Sequence, residues 1–286
     1  MTLPTSDTVV TYPAGATSGT ATVQHVERAA ERFAVLLDTT PCHPVDAGWP
    51  DQPADRGTLT WNGGSGQIVD CIVAATDGAD LFLGPDIPVR KGTDGWCFVV
   101  AHLLDTAPPV GIVVTVEVDS DYRKAISLGH TGCHLASLAL SRALADRWRK
   151  DVELDTLGSP NFDAAANQSS RILERGSHDT YRLGKSLRKR GFTTEDLATD
   201  LTDIEASLND TLAAWIATNG LVRIDRDGDA LTDRRFWVCE LPDAEARIAC
   251  GGTHSSKLGE LGSLRATLSL VDDAGTQVLV MDTAVS

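Results

Sequence analysis

The sequence predicts an α+β protein with a β-rich region over residues 1–118 and a mixed helical and strand region over 119–286. Three observations predict it. Short apolar runs alternate with turn signals as far as Val118: "TATVQHV", "RFAVLLD", "GTLTW", "QIVDCIVAA" and "GIVVTVEV". From Asp121 the apolar spacing becomes helical. The chain then closes on two more strand-like runs, "LRATLSLVD" and "TQVLVMD". Its 286 residues suffice for one large or two ordinary domains, each with its own core.

The elements follow in order. "NGGSGQ" at 62–67 is a turn; with no Lys-Ser/Thr and no following helix it is not a phosphate loop. "TAPPVG" at 106–111 punctuates the chain before the last N-terminal strand, which sets the domain boundary near Val118. "HTGCHLASLALSRALADRWRK" carries Leu135, Leu138, Leu140, Leu144 and Trp148 over more than one face, so it predicts a largely buried helix, ended by "LGSPNF". A second, basic helical segment is expected after Ser177. A third is expected over about Thr202 to Thr218, stopped by Asn219-Gly220. "LVRID" and "RFWVCEL" read as strands around the turn "DRDGDALTD" (225–233). An EF-hand needs Gly at position six and Glu at twelve of its loop; here Ala230 and Phe236 stand there, so a hairpin turn is expected.

Composition narrows the function. No apolar run approaches the ~18 residues of a membrane span, and "MTLPTSDTVV" lacks the basic and apolar regions of a signal peptide. Cysteines at 42, 71, 97, 133, 239 and 250 form no C-x-x-C and suggest no disulfide framework, which points to a reducing, cytoplasmic setting. The net charge of -15 argues against a polyanionic partner. One stretch departs from it: residues 171–190 hold seven Lys/Arg against two Asp/Glu, a local balance of +5. Such a run is a solvated helix face or a phosphate-binding surface.

Two short motifs carry chemistry. "GHTGCH" contains His130-x-x-x-His134, and residues four apart on a helix share a face. "RIACGGTHSSKLGEL" contains Cys250-x-x-x-His254, with Gly251 and Gly252 expected to let the backbone bring both side chains to one centre. Together they make a His₂-Cys-His set suited to Zn²⁺. Cys133 is read as a packed small hydrophobe. His25, His43, His102 and His178 lack a paired spacing and are read as structural or surface residues, with His178 opening the basic segment. Four ligands argue for a closed structural site, while their wide separation in the chain leaves a catalytic site open.

These residues resemble a known family. H-x-x-x-H followed far downstream by C-G-G-T-H is similar to the editing domain of alanyl-tRNA synthetase and its free-standing relatives, the AlaX trans-editing proteins. "DTTPCHPVDAGWPDQPADRGTL" (38–59) resembles that family's T-P-F-Y-P-x-G-G-G-Q-P-x-D-x-G, and "VGIVVTVEVDSDYR" resembles its link into the editing domain. The resemblance covers roughly residues 20–145 and 235–286. It implies a glycine-rich β-barrel domain (1–118) followed by an α/β two-layer editing domain (119–286) of the alanyl/threonyl-tRNA synthetase type. It implies zinc bound by His130, His134, Cys250 and His254, and hydrolysis in trans of mischarged tRNA(Ala) carrying Ser or Gly. Gln52 and Asp55 match pocket residues of the glycine-rich motif; Thr131 and Thr253 match positions beside the metal. Trp49, Pro50 and Asp51 stand where the family has small residues before the Gln. Residues 150–235 read as an insertion gripping the tRNA acceptor end, with Arg182, Lys185, Arg188 and Lys189 as candidate contacts.

Within that resemblance, Gln52, Asp55 and Thr131 are the candidate catalytic-pocket residues. Gln52 cannot act as a general base, Asp55 can only if it faces the pocket, and Thr131 is the candidate partner of a serine hydroxyl. Rival readings are a hydrolase of another aminoacyl-tRNA or small aminoacyl ester, a non-catalytic zinc-stabilised tRNA-binding module, and a chain with no metal.

Overall fold

A computed structural model describes residues 3–46 and 50–286; Trp49 lies outside the described residues. The chain forms two compact units. The first comprises Met1–Arg123, Ile224–Arg235 and Gly251–Thr253; the second comprises Lys124–Arg223, Phe236–Cys250 and His254–Ser286.

The first unit holds β1 (Val9–Val10), β2 (Ser18–Ala29), β3 (Arg32–Leu37), β4 (Thr39–Thr40), β5 (Gly57–Trp61), β6 (Gly64–Thr76), β7 (Leu81–Leu83), β8 (Cys97–Leu104) and β9 (Val113–Val118). Seven of them pair in the order β5-β9-β2-β3-β8-β6-β7, and β5 also pairs with β6, so the hydrogen-bonded circuit returns to its start. The expected strands lie in β2, β3, β5, β6 and β9. Strand β9 shows why: Val114, Val116 and Val118 are buried and the residues between them are exposed. At Gly57 a Cβ would lie 2.1 Å from the Glu117 carbonyl oxygen, so the close approach of β5 to β9 requires glycine. The main core gathers Val35, Leu37, Leu59, Cys71, Val73, Phe98, Val100 and Leu104 on one face of the sheet. Ala34, Leu36, Ala74, Val99 and Ala101 form a smaller core on the other.

Helix α1 (Ser120–Ala143) carries the chain into the second unit, and along the chain there follow α2 (Phe162–Ala166), β10 (Asn167–Leu173), β11 (Gly176–Arg182), α3 (Lys185–Lys189), α4 (Leu197–Ala217), β12 (Val222–Arg226), which ends in the first unit, β13 (Arg235–Glu240), which begins there, β14 (Glu245–Ala249), β15 (Leu264–Asp273) and β16 (Thr276–Val285). Four strands form an antiparallel sheet in the order β10-β11-β16-β15. Helix α1 meets the β10–β11 hairpin at Gly129, where a Cβ would sit 2.3 Å from the Leu173 carbonyl oxygen; Arg175 N–H donates to the Ala125 carbonyl at 2.8 Å. Helix α4 covers strand β15. Asn209 both donates to the Ala266 carbonyl (2.8 Å) and accepts from its N–H (2.9 Å), and Glu205 accepts from Leu268 N–H (2.8 Å). These side chains satisfy edge groups that would otherwise be open to another strand.

Two helical expectations need correction. Helix α1 stops at Ala143, and Trp148 lies beyond it with its ring packed on Phe192 (centroids 5.2 Å apart). The basic stretch after Ser177 is not one helix. Gly176–Arg182 is strand β11, paired on both sides, because buried Ser177, Asp179 and Tyr181 recur at a period of two; only Lys185–Lys189 is helical. The Asn219-Gly220 stop is present, with Asn219 at φ 51° just beyond α4. The turn at 225–233 is a hairpin turn closed by Asp227 N–H to the Arg234 carbonyl (3.1 Å), its Asp227 and Asp229 paired with Arg234 and Arg226. Among the described residues, no helix is long and apolar enough to cross a membrane.

Candidate metal centre

His130 and His134, one turn apart on α1, meet the segment that follows β14. The donor atoms of His130, His134, Cys250 and His254 all lie within 4.8 Å of one another. Cys250 Sγ is 3.3 Å from His254 Nε2 and 3.5 Å from His130 Nε2. The three imidazole centroids are 4.4–5.1 Å apart. Helical spacing aligns the first pair; the loop supplies the second. Gly251 and Gly252 stand between the two loop residues, and neither takes a positive φ.

The surroundings fit a cation. His134 Nε2 is buried with no hydrogen-bond partner among the described residues, so it is a nitrogen that a cation could take. Burial lowers the His134 pKa to about 4, so its imidazole is neutral at physiological pH, the form that binds metal. Imidazoles with one thiol are the donor set of Zn²⁺. With Nε2 of His254 facing the cluster, its Nδ1 lies 3.2 Å from Thr131 Oγ1. That oxygen also accepts from Ser255 N–H (3.1 Å) and Ser255 Oγ (3.2 Å). Thr131 thus orients the ring of a candidate ligand through its outer nitrogen.

Sequence reasoning missed two members of this centre. Trp237 on β13 is fully buried and places its ring 5.0 Å from His134 and 6.0 Å from His254. Its Nε1 is buried and has no hydrogen-bond partner among the described residues. The strand reading of "RFWVCEL" was available, but which side of it faces the histidines depends on register. Ser255 was hidden because its role runs through Thr131. Cys133 points elsewhere: its buried thiol lies 3.5 Å from Asp179 Oδ1, a polar contact that a reading as a packed small hydrophobe does not include.

The other candidates stand as follows. In the first unit, buried Gln52 grips Thr253 at two points: Oε1 accepts Thr253 N–H (2.9 Å) and Nε2 donates to its Oγ1 (3.0 Å). Asp51 accepts the Gln52 N–H at 2.8 Å. Asp55 is buried against Arg123, which donates from Nε (2.7 Å) and Nη2 to its two carboxylate oxygens, and His43 N–H donates to it as well. In the second unit, Arg182, Lys185, Arg188 and Lys189 are exposed at the end of β11 and on α3. Arg182 reaches Thr276 Oγ1 (3.2 Å), and Arg188 donates to the Leu183 carbonyl (2.9 Å).

Fold and site therefore define a strand-rich α+β protein with a three-histidine, one-cysteine candidate metal centre. No protein-family model matches the chain. It is similar to alanine–tRNA ligases over most of its length. It is 26% identical to that of Parafrankia sp. strain EAN1pec over 254 residues, covering 86% of this chain and 24% of the relative. It is 25% identical to that of Halorubrum lacusprofundi over 269 residues (92% and 24%) and 24% identical to that of Methanopyrus kandleri over 233 residues (81% and 21%). The chain spans about a quarter of the length of these curated relatives. The resemblance first carried by the motifs holds across about 85% of the chain.

Proposed function

We propose that this chain is a zinc-dependent aminoacyl-tRNA deacylase that hydrolyses mischarged tRNA(Ala), carrying Ser or Gly, in trans and in the cytoplasm. The observation that carries the proposal is the convergence of His130, His134, Cys250 and His254 within 4.8 Å in a chain similar to a segment of alanine–tRNA ligases. The closed circuit of strands in the first unit supports its reading as the glycine-rich barrel that accompanies such a site, with 119–286 as the editing domain and 150–235 as its insertion.

Bound at these four residues, Zn²⁺ would act as a Lewis acid toward the aminoacyl ester or lower the pKa of an attacking water. The chain's own residues set the stage. His134 offers a neutral imidazole. Thr131 and Ser255 fix the ring of His254. Gln52 holds Thr253, the residue before His254 in the chain, by backbone and hydroxyl. Asp55 neutralises Arg123, so it serves as a positioning residue and the general-base task falls to none of the three candidates. Lys185 and Lys189 offer exposed charge to the acceptor end of tRNA.

A second reading, a hydrolase of another aminoacyl-tRNA or small aminoacyl ester, is favoured by Pro50-Asp51 ahead of Gln52, which puts a carboxylate on the Gln52 N–H. One experiment separates them: deacylation of Ser-, Gly-, Thr- and Ala-charged tRNA(Ala) by wild type, His130→Ala and Cys250→Ala, with bound zinc measured. Loss of Ser or Gly from tRNA(Ala) by wild type alone, with Ala-tRNA(Ala) spared, supports editing. A folded, zinc-loaded protein that turns over none of these substrates rejects it in favour of the second reading.

A further inference from the structure

The first unit carries a separate cluster that the proposed reaction does not use. Cys71 on β6 stands directly opposite His102 on β8 in the antiparallel register. Side chains of such a pair leave the same face of the sheet, with Cβ atoms ~5 Å apart. Cys42, two residues beyond β4, comes over that face. The three side chains are fully buried, and their donor atoms lie within 4.8 Å of one another. His102 occupies a row on β8 that otherwise reads Phe98, Val100 and Leu104, all core residues. An imidazole in an apolar row is costly unless its nitrogens are satisfied.

They are satisfied in a way that aims the ring. His102 Nδ1 is 3.0 Å from the Val35 carbonyl oxygen, which can only accept, so Nδ1 carries the proton. Nε2 therefore presents its lone pair, and the Thr40 hydroxyl donates to it at 2.8 Å. A backbone carbonyl on Nδ1 that fixes Nε2 as the lone-pair nitrogen is the arrangement found behind metal-bound histidines; an ion there would take the place of the Thr40 hydrogen bond to Nε2. Thr40 Oγ1 also accepts Cys42 N–H at 3.1 Å, which ties the Cys42 loop to the same spot.

We propose that Cys42, Cys71 and His102 form a second zinc site, distinct from the four-ligand centre, with the Thr40 hydroxyl as the nearest oxygen able to complete the coordination. Two thiols and one imidazole are the soft, nitrogen-containing donor set that selects Zn²⁺ over hard cations. Full burial assigns the site to structure: the ion would be enclosed as the β3, β6 and β8 strands and the Cys42 loop close. Binding there releases the thiol protons and ties a loop to two strands.

The test is metal stoichiometry on the full chain, with Zn²⁺ measured directly and Co²⁺ as a spectroscopic probe of thiolate ligation. Wild type is expected to bind two equivalents. Cys250→Ala, which removes no ligand of the second site, is expected to retain one equivalent there, with a thiolate-to-cobalt charge-transfer band from the two remaining ligand cysteines. Cys71→Ser is expected to retain one, at Cys250; should that variant fail to fold, Cys250→Ala still decides. A folded Cys250→Ala protein with no charge-transfer band overturns the second site, whatever zinc its three remaining histidines hold. Its failure is distinguishable from failure of the first: if wild type binds a single equivalent, loss of its thiolate charge-transfer band in Cys250→Ala but not in Cys71→Ser leaves only the four-ligand centre, whereas loss in Cys71→Ser but not in Cys250→Ala leaves only this one.

Discussion

Thr131 Oγ1 lies 3.2 Å from His254 Nδ1, the nitrogen that faces away from the ligand cluster. The same oxygen takes the Ser255 N–H. A hydroxyl engaged on both sides by the protein acts on the orientation of His254.

Thr131→Val keeps the shape and removes the oxygen. Loss of such an outer partner typically costs 10–100-fold in metal affinity, so the variant should bind zinc at least tenfold more weakly, while Thr131→Ser stays near wild type. Competition against a chromophoric chelator measures this. Unchanged zinc affinity in the Val variant, combined with an altered preference between Ser- and Gly-tRNA(Ala), would instead assign Thr131 to the substrate.

The Asp55–Arg123 pair makes a different prediction. Both side chains are almost wholly buried, and Arg123 also donates to the Pro41 carbonyl at 2.7 Å. Removing one partner leaves the other charge uncompensated, which costs roughly 3–5 kcal/mol. Asp55→Ala and Arg123→Ala should each lose that order of stability in denaturant unfolding. The double variant should lose less than the sum of the two. If Asp55→Ala abolishes turnover at unchanged stability, Asp55 belongs to the chemistry.

How far the sequence reached can be seen residue by residue. His130 with His134 and Cys250 with His254 were legible because each pair is a local spacing, and their meeting followed from ligand chemistry. Strand β9 was legible because one face is buried and the other exposed. Strand β8 was not, because residues 98–102 are buried on both faces and the alternation disappears. Strand β11 was mistaken for helix because the charges that follow it drew attention from the period-two burial of Ser177, Asp179 and Tyr181. The partners of Thr131, Asp55 and His102 are contacts across long stretches of chain, which no local pattern encodes.

Asp179 sets a pH dependence. It is buried beside the Cys133 thiol and accepts from Ser177 Oγ at 2.7 Å. Burial raises its pKa above the ordinary 3.8. The fold therefore holds this proton more tightly than the unfolded chain does. The resulting stabilisation is complete below the ordinary carboxyl pKa and is lost as pH rises through the raised one. Asp179→Asn keeps an acceptor for Ser177 without the charge. Its melting temperature should exceed that of wild type at neutral pH, and the gap should close as pH falls toward about 3.8. A gap that is constant with pH, or of opposite sign, would show that the carboxylate is stabilised by its neighbours.

The basic stretch offers the last prediction. Arg182 lies 3.8 Å from Asp273, an exposed pair worth little, and Arg188 is tied to the Leu183 carbonyl. Lys185 and Lys189 on α3 have exposed charges, so they are the residues to change. Each phosphate contact releases bound counterions, and binding weakens with salt by a slope of about one per contact. In Lys185→Ala/Lys189→Ala the salt slope of tRNA binding should fall by about two. Deacylation at saturating tRNA should be unchanged, because neither residue touches the metal centre. A slope equal to that of wild type would remove α3 from the tRNA surface and leave its charges as a solvated face in an acidic chain.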